Sequence, residues 1–309
     1  LIKEGAEVAE AVANAARRTT SRSELAQHQG FAEVSPELGV LDDEAFDRLL
    51  AEDPNHAMAL LADLVGATDP TLRRLAARLA GRVTTDLARS GPAPRTGRGV
   101  GRLARRRASV AEGDLDLDAS MDAILTSRVT GAAAPPEELT VAAWERPGTA
   151  LCLVVDRSGS MLGSRLATAA VIASTVVLSR PTDASVLAIA REALVVRPQG
   201  SSRSAEQVVD DLLVLRGHGV TDLSLALDAA AHQLARSDAR RKVCLVLSDC
   251  RSTAGPEPTA TARLFEELVL LPPKDDVADA TALAEATGAL LIPVAGPTDA
   301  PAVIRAALA

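Results

Sequence analysis

The sequence predicts an α/β fold, a doubly wound, mostly parallel sheet with helices on both faces, preceded by a small α-helical region. Three observations predict it. Two apolar runs, 150–155 and 243–247, are too short for helices and stop at or near an aspartate, as buried central strands do when they deliver a loop to a sheet edge. Around them, strand-like runs alternate with amphipathic segments, the order that gives parallel strands joined by helical crossovers. Before residue 90 the chain carries helix signals only.

Taken in order, residues 2–18 are Ala-rich with apolar residues at helical spacing, and 41–50 has an acidic first turn suited to a helix start. Asp53-Pro54 and Asp69-Pro70 each pair an N-cap residue with proline in the first helical position. After Asp69, Leu72, Leu75, Ala76, Leu79 and Val83 fall on one helical face. Residues 1–90 thus form a helical N-terminal region, either a small domain or an interaction platform. His28 and His56 stand apart without metal-ligand spacing.

Residues 91–138 are predicted to be a linker and connector. Composition shifts there to Gly, Pro and Arg, with Arg95, Arg98, Arg102, Arg105, Arg106 and Arg107. A solvated linker is the favoured reading, and contact with phosphates or an acidic partner the alternative. Residues 112–118 alternate like a half-buried strand. They mimic a calcium loop but place Ala119 where its glycine belongs and Leu125 where its bidentate glutamate belongs. A short helix over 121–129 and Pro135-Pro136 close the connector.

Residues 139–309 form the sheet domain. The pattern predicts an edge strand at 140–144 and a helix at 162–178. Strands at 184–190 and 193–197 lead to helices at 204–215 and from Leu223. Later come a short helix at 260–267, a strand at 268–271, a helix at 275–287 stopped by Gly288, a strand at 289–294 and a closing helix at 300–308.

The chemistry lies at the ends of the two apolar runs. Asp156, Ser158 and Ser160 occupy alternate positions, so a tight turn can aim one carboxylate and two hydroxyls at one point, with Gly159 allowing the bend. Hard oxygen donors with few charges suit Mg²⁺. The glycine-flanked loop 217–223 presents Thr221 just before a helix, and the second apolar run leads to Asp249. Parallel neighbouring strands would bring Asp156 and Asp249 to the same sheet edge, where open α/β sheets bind ligands.

Asp-x-Ser-x-Ser after one strand, a Gly-x-Thr loop and an Asp after a later strand together resemble the metal-ion-dependent adhesion site of a von Willebrand factor A (VWA) domain. The resemblance implies five metal ligands, Asp156, Ser158, Ser160, Thr221 and Asp249, and Mg²⁺ or Mn²⁺ as the ion. Two positions depart from the commonest form: Cys250 follows Asp249 where many relatives carry Gly, and Arg157 fills a variable position with a bulky cation. Trp144-Glu145-Arg146-Pro147-Gly148, Leu247-Ser248-Asp249-Cys250-Arg251 and Pro293-Val294-Ala295-Gly296-Pro297 narrow the likeness. They are similar to bacterial VWA proteins of the CoxE-like group, which work beside MoxR-type AAA+ ATPases. That implies an adaptor between such an ATPase and a client protein, in chaperone-like remodelling or metalloenzyme maturation, with an Asp or Glu of the client reaching the metal.

Composition sets the alternatives. The 309 residues are 47% hydrophobic, enough for a sizeable core, but hold no Tyr, one Trp and three Phe, so base-stacking surfaces are not expected. A formal charge of −8 argues against nucleic-acid or anionic-membrane binding. No stretch reaches the roughly 18 apolar residues of a membrane span. Cys152 and Cys244 lie in apolar strands, and three cysteines without a paired framework point to the cytoplasm. The sequence has neither a Gly-x-Ser-x-Gly elbow nor a Walker loop, and His218 is the only base near the metal motif, so an enzyme is not expected. A metal-dependent hydrolase and a secreted adhesive module are the alternatives.

Overall fold

The structure is a computed structural model that describes residues 1–17, 19–90, 102–108, 114–145, 148–157, 163–215 and 220–309. The chain opens with a short strand, β1 (Ile2–Lys3), which Gly5 at φ 59° turns into α1 (Ala6–Ala15). The helix predicted from residue 2 therefore starts later, because Ile2 and Lys3 pair with a sheet edge. Next come α2 (Arg22–Leu25), α3 (Phe31–Val34), α4 (Asp43–Glu52), α5 (Pro54–Leu64) and α6 (Pro70–Ser90). Their starts follow the capping residues. Ser21 and Glu24 form a reciprocal capping box, Asp42 accepts from the Ala45 N–H, and Asp53 accepts from the His56 N–H with Pro54 in the first turn.

A smaller unit follows, comprising β2 (Arg102–Arg107), β3 (Asp114–Leu115), α7 (Leu117–Thr130) and β4 (Thr140–Glu145). Three predictions are corrected in it. Of the predicted linker, 91–101 lies outside the described residues, but Arg102–Arg107 is a strand in antiparallel register with Thr140–Glu145. The ladder with β4 gives alternate residues of this edge strand backbone partners, something an arginine-rich composition does not reveal. As a result β4 is the centre of a three-stranded sheet, ordered β2-β4-β3, and not an edge. Asp116, predicted inside a strand, caps α7 instead. The Ala119 N–H, and after it the Arg105 guanidinium at 2.6 Å, hold its carboxyl below the usual carboxylate range.

The larger unit joins the first six helices and β1 to the rest of the chain. Its later elements are β5 (Thr149–Asp156), α8 (Ser164–Ser179), β6 (Ala184–Ile189), β7 (Ala193–Arg197), α9 (Ala205–Val214) and α10 (Leu223–Ala235). After them come β8 (Arg241–Leu247), α11 (Thr259–Ala262), β9 (Glu267–Leu270), α12 (Ala278–Thr287), β10 (Leu290–Leu291) and α13 (Ala300–Ala307). Seven strands form one sheet in the order β1-β7-β6-β5-β8-β9-β10. It is mostly parallel, with β6 and β7 running antiparallel as a hairpin. The last predicted strand shrinks to two residues and a bridge between Pro273 and Val294, with the Ile292 and Val294 N–H groups still donating to the Leu270 and Pro272 carbonyls.

Side chains alternate across the central strands. Leu151, Leu153 and Val155 of β5 and Val243, Leu245 and Leu247 of β8 belong to one apolar core with α8. Every residue from Leu166 to Val177 of α8 is buried. A helix apolar all round needs cover all round, and it has β5 and β6 on one side and α5, α6, α9 and α13 about the others. The first ninety residues therefore share a core with the sheet, across the boundary the sequence predicts at residue 90.

Candidate metal centre

β5 and β8 are neighbours in the sheet, so their carboxyl ends bring two of the predicted acidic residues to one edge. Asp156 closes β5 and is buried, and Asp249 follows β8 half-buried. The loop before α10 brings Thr221 to the same place. Its hydroxyl donates to Asp156 Oδ1 at 3.2 Å. Sequence reasoning did not single out Ser248, yet its hydroxyl donates to Asp156 Oδ2 at 2.7 Å and accepts from the Cys250 N–H at 2.9 Å. Both oxygens of the carboxylate are thus held in place by hydroxyls on two different loops. Ser248 could have been found from strand alternation, which puts it on the same side of β8 as Cys244 and Val246.

The Thr221 loop is fixed from several directions. Thr221 N–H donates to Thr253 Oγ1 at 2.9 Å, and the Thr221 carbonyl accepts from the N–H groups of Thr253 and Ala254. Asp222 N–H donates to the Ala190 carbonyl, while its side chain caps α10 at the Leu225 N–H. Gly255, at φ +77°, makes room: a Cβ there would lie 2.3 Å from Asp222 Oδ1. Asp249 Oδ1 accepts from the Arg251 N–H at 2.9 Å, and Arg251 pairs with Asp276 and Asp279.

Cys250 has φ 63°, a left-handed conformation that normally favours glycine, which accounts for Gly being the common residue at this place. Burial pushes its thiol well up, with the charges of Asp249, Asp156 and Asp279 adding to the effect. It is therefore a small buried group and not a thiolate ligand.

Ser158, Ser160 and His218 lie outside the described residues. Among the described residues no group of three His, Cys, Asp or Glu side chains could hold a metal ion. An ion here would have to use hydroxyl oxygens along with the carboxylates, and the Thr221 hydroxyl already lies against Asp156. That donor chemistry fits a hard dication such as Mg²⁺ or Mn²⁺. Beside Ser248 opens a cavity of about 430 Å³, lined by Arg165, Thr168, Leu247, Lys274, Asp275 and Val294 among others.

A family model described as "VWA domain containing CoxE-like protein" matches residues 86–274. Three solved structures are similar to part of the chain at low identity. A von Willebrand factor type A protein from Catenulispora acidiphila is 16% identical over 54% of this chain and 42% of its own, with a TM-score of 0.43. BatB from Bacteroides thetaiotaomicron is 17% identical over 52% of this chain and 97% of its own, with a TM-score of 0.43. Manganese-loaded TRAP protein from Plasmodium vivax is 17% identical over 53% of this chain and 74% of its own, with a TM-score of 0.44. No curated protein sequence matches the chain.

Proposed function

The chain belongs to the family of VWA-domain-containing CoxE-like proteins, and from that premise we propose that it is a divalent-metal-dependent binding adaptor. It works with a MoxR-type AAA+ ATPase on a client protein, in chaperone-like remodelling or metalloenzyme maturation. The observation that carries the proposal is the buried Asp156 carboxylate, oriented by Thr221 and Ser248 at the sheet edge, where a ligand can approach.

Asp156, Ser158, Ser160, Thr221 and Asp249 would hold Mg²⁺ or Mn²⁺. A bound dication would supply the positive charge that accepts an Asp or Glu carboxylate from the client. The rest is done by the chain. Thr221 and Ser248 fix the orientation of Asp156, and the loop bonds from Thr253 and Ala254 hold Thr221 in reach. With only two carboxylates, the site presents few negative charges to an incoming acid. Without the cation those same carboxylates repel it.

Recognition, and not turnover, is the proposed role, supported by the Thr221 and Ser248 hydroxyls, which position Asp156. Among the described residues no helix is long and apolar enough to cross a membrane. A cytoplasmic setting is proposed on the three free buried cysteines.

The test is a pull-down with the whole chain as bait in Mg²⁺, in EDTA and with Asp156→Ala. An AAA+ ATPase or client captured in Mg²⁺ should be lost in EDTA and with the variant, and added Mg²⁺ should rescue only the chelated wild type. Capture at full strength in EDTA would overturn the metal-dependent reading.

A further inference from the structure

Helix α7 of the smaller unit is packed the wrong way round for a helix that ends at solvent. Its inward residues are small. Ser120 and Ala123 are its buried positions, and the Ser120 hydroxyl is tied to the carbonyl and N–H of Thr140 at 3.1 and 2.9 Å. Ile124 is half-buried, and the other four large apolar side chains point outward. Leu117 is 60% exposed, Met121 44%, Leu125 51% and Val129 88%. A spacing of four makes them one continuous ridge along the helix.

The ridge has a second property, visible when α7 is read backwards about Ala123. Reversal exchanges Leu117 with Val129, Met121 with Leu125 and Asp118 with Arg128. The surface is therefore complementary to its own reversed copy, as a two-fold symmetric interface requires. We propose that α7 is an interaction surface for a second copy of this chain, the two helices running antiparallel with their four-residue ridges packed together.

In this register Leu117 comes level with Val129 of the second copy, and Met121 with its Leu125. Each end of the pair carries one Asp118 and one Arg128, whereas a parallel pair would set like charge level with like. Ridges of this spacing pack most often at about −50°. The four side chains expose roughly 400 Å² per copy, so a pair would bury less than the roughly 1,200 Å² of a standard stable interface. The association is therefore weak and concentration-dependent, and it does not depend on the metal reading.

Sedimentation velocity of the full chain, run from about 1 to about 200 µM, tests it. The mass should rise from 31.9 kDa towards twice that value across this range, in Mg²⁺ and in EDTA alike. Leu125→Glu, at an exposed position and with helicity checked by circular dichroism, should weaken the pairing at least tenfold. Asp118→Arg and Arg128→Asp should each weaken it, and the two together should restore it. A chain that stays monomeric throughout would overturn the proposal, as would undiminished pairing of Leu125→Glu. Failure of the double exchange to restore pairing would overturn the antiparallel register. If the wild type is monomeric while Leu125→Glu loses a co-purifying protein, the ridge belongs to a different partner and the proposal fails.

Discussion

Ser248→Ala probes the smallest group on which the site geometry depends. The substitution deletes one hydroxyl that both donates to Asp156 Oδ2 at 2.7 Å and accepts from the Cys250 N–H at 2.9 Å. Ser248 and Cys250 are buried, so water does not readily replace either bond. A hydrogen bond to a charged acceptor contributes about 1.5–3 kcal/mol, and a buried N–H left without an acceptor costs about 1–3 kcal/mol. Asp156 keeps Thr221, which softens the loss. A net fall of about 3 kcal/mol is expected, which at an m-value of roughly 3 kcal/mol/M moves a urea midpoint by about 1 M. With the Ser248 bond to the carboxylate removed, Mg²⁺ affinity by titration calorimetry should drop about tenfold, the usual effect of losing a partner that orients a metal ligand. Ser248→Thr keeps the hydroxyl and should recover most of both losses. An alanine variant with the wild-type midpoint and wild-type affinity would refute the claim that Ser248 positions Asp156.

Three other outcomes follow from the same structure. Arg197 is buried, its guanidinium bonded to the carbonyls of Ala184, Pro181, Ser201 and Arg203, and burial, followed by the nearby Arg203 charge, lowers its pKa. Arg197→Ala should cost about 3–5 kcal/mol in urea unfolding by stranding those carbonyls, and a loss under about 1 kcal/mol would mean that water reaches them. Gly255→Ala should destabilise the fold by more than about 2 kcal/mol and weaken Mg²⁺ binding, because its methyl would collide with Asp222 beside Thr221. A variant with unchanged calorimetric affinity would separate that turn from the site. The Cys244 and Cys250 thiols are raised, Cys244 by its bond with Cys152 and then by burial, Cys250 chiefly by burial. The unfolded thiol ionises near 9.0, so their contribution is complete below that pH and lost as pH rises, by about 1.4 kcal/mol per thiol per pH unit. Native protein at pH 8 should also leave all three cysteines unreactive to a thiol reagent until it is denatured, and fast labelling of any of them would contradict the burial.

The parts of the fold legible in the sequence are those written in local pattern. The runs ending at Asp156 and near Asp249, the proline-capped starts of α5 and α6, and the strand–helix alternation after residue 149 all depend on neighbours within a turn or a pleat. What was not legible depends on partners far away in sequence. Ile2 and Lys3 join a strand edge near residue 193, and Arg102–Arg107 finds its ladder on residues 140–145. Neither pairing leaves a compositional trace. The all-round apolarity of α8 did carry a warning, since a sheet covers only one side of a helix and some other element had to cover the rest. At the sheet edge, the positions of Asp156 and Asp249 were readable from strand ends and that of Thr221 from its loop before a helix, whereas for Ser248 alternation marks only its side of β8, and its reach to Asp156 depends on the neighbouring strand.

The order of elements along the chain also sets how it can be divided. Residues 1–90 supply β1 and the helices over α8, and the smaller unit comes before the chain returns to the same core at β5. A fragment beginning at residue 139 would lack the cover that α5 and α6 give to α8 and would lose an edge strand as well. A single backbone cut between α6 and β5 has the opposite effect. Both pieces keep their halves of one apolar interface, so the nicked protein should run as two bands in denaturing gels and as one particle in native buffer, a split protein whose halves find each other without a tether.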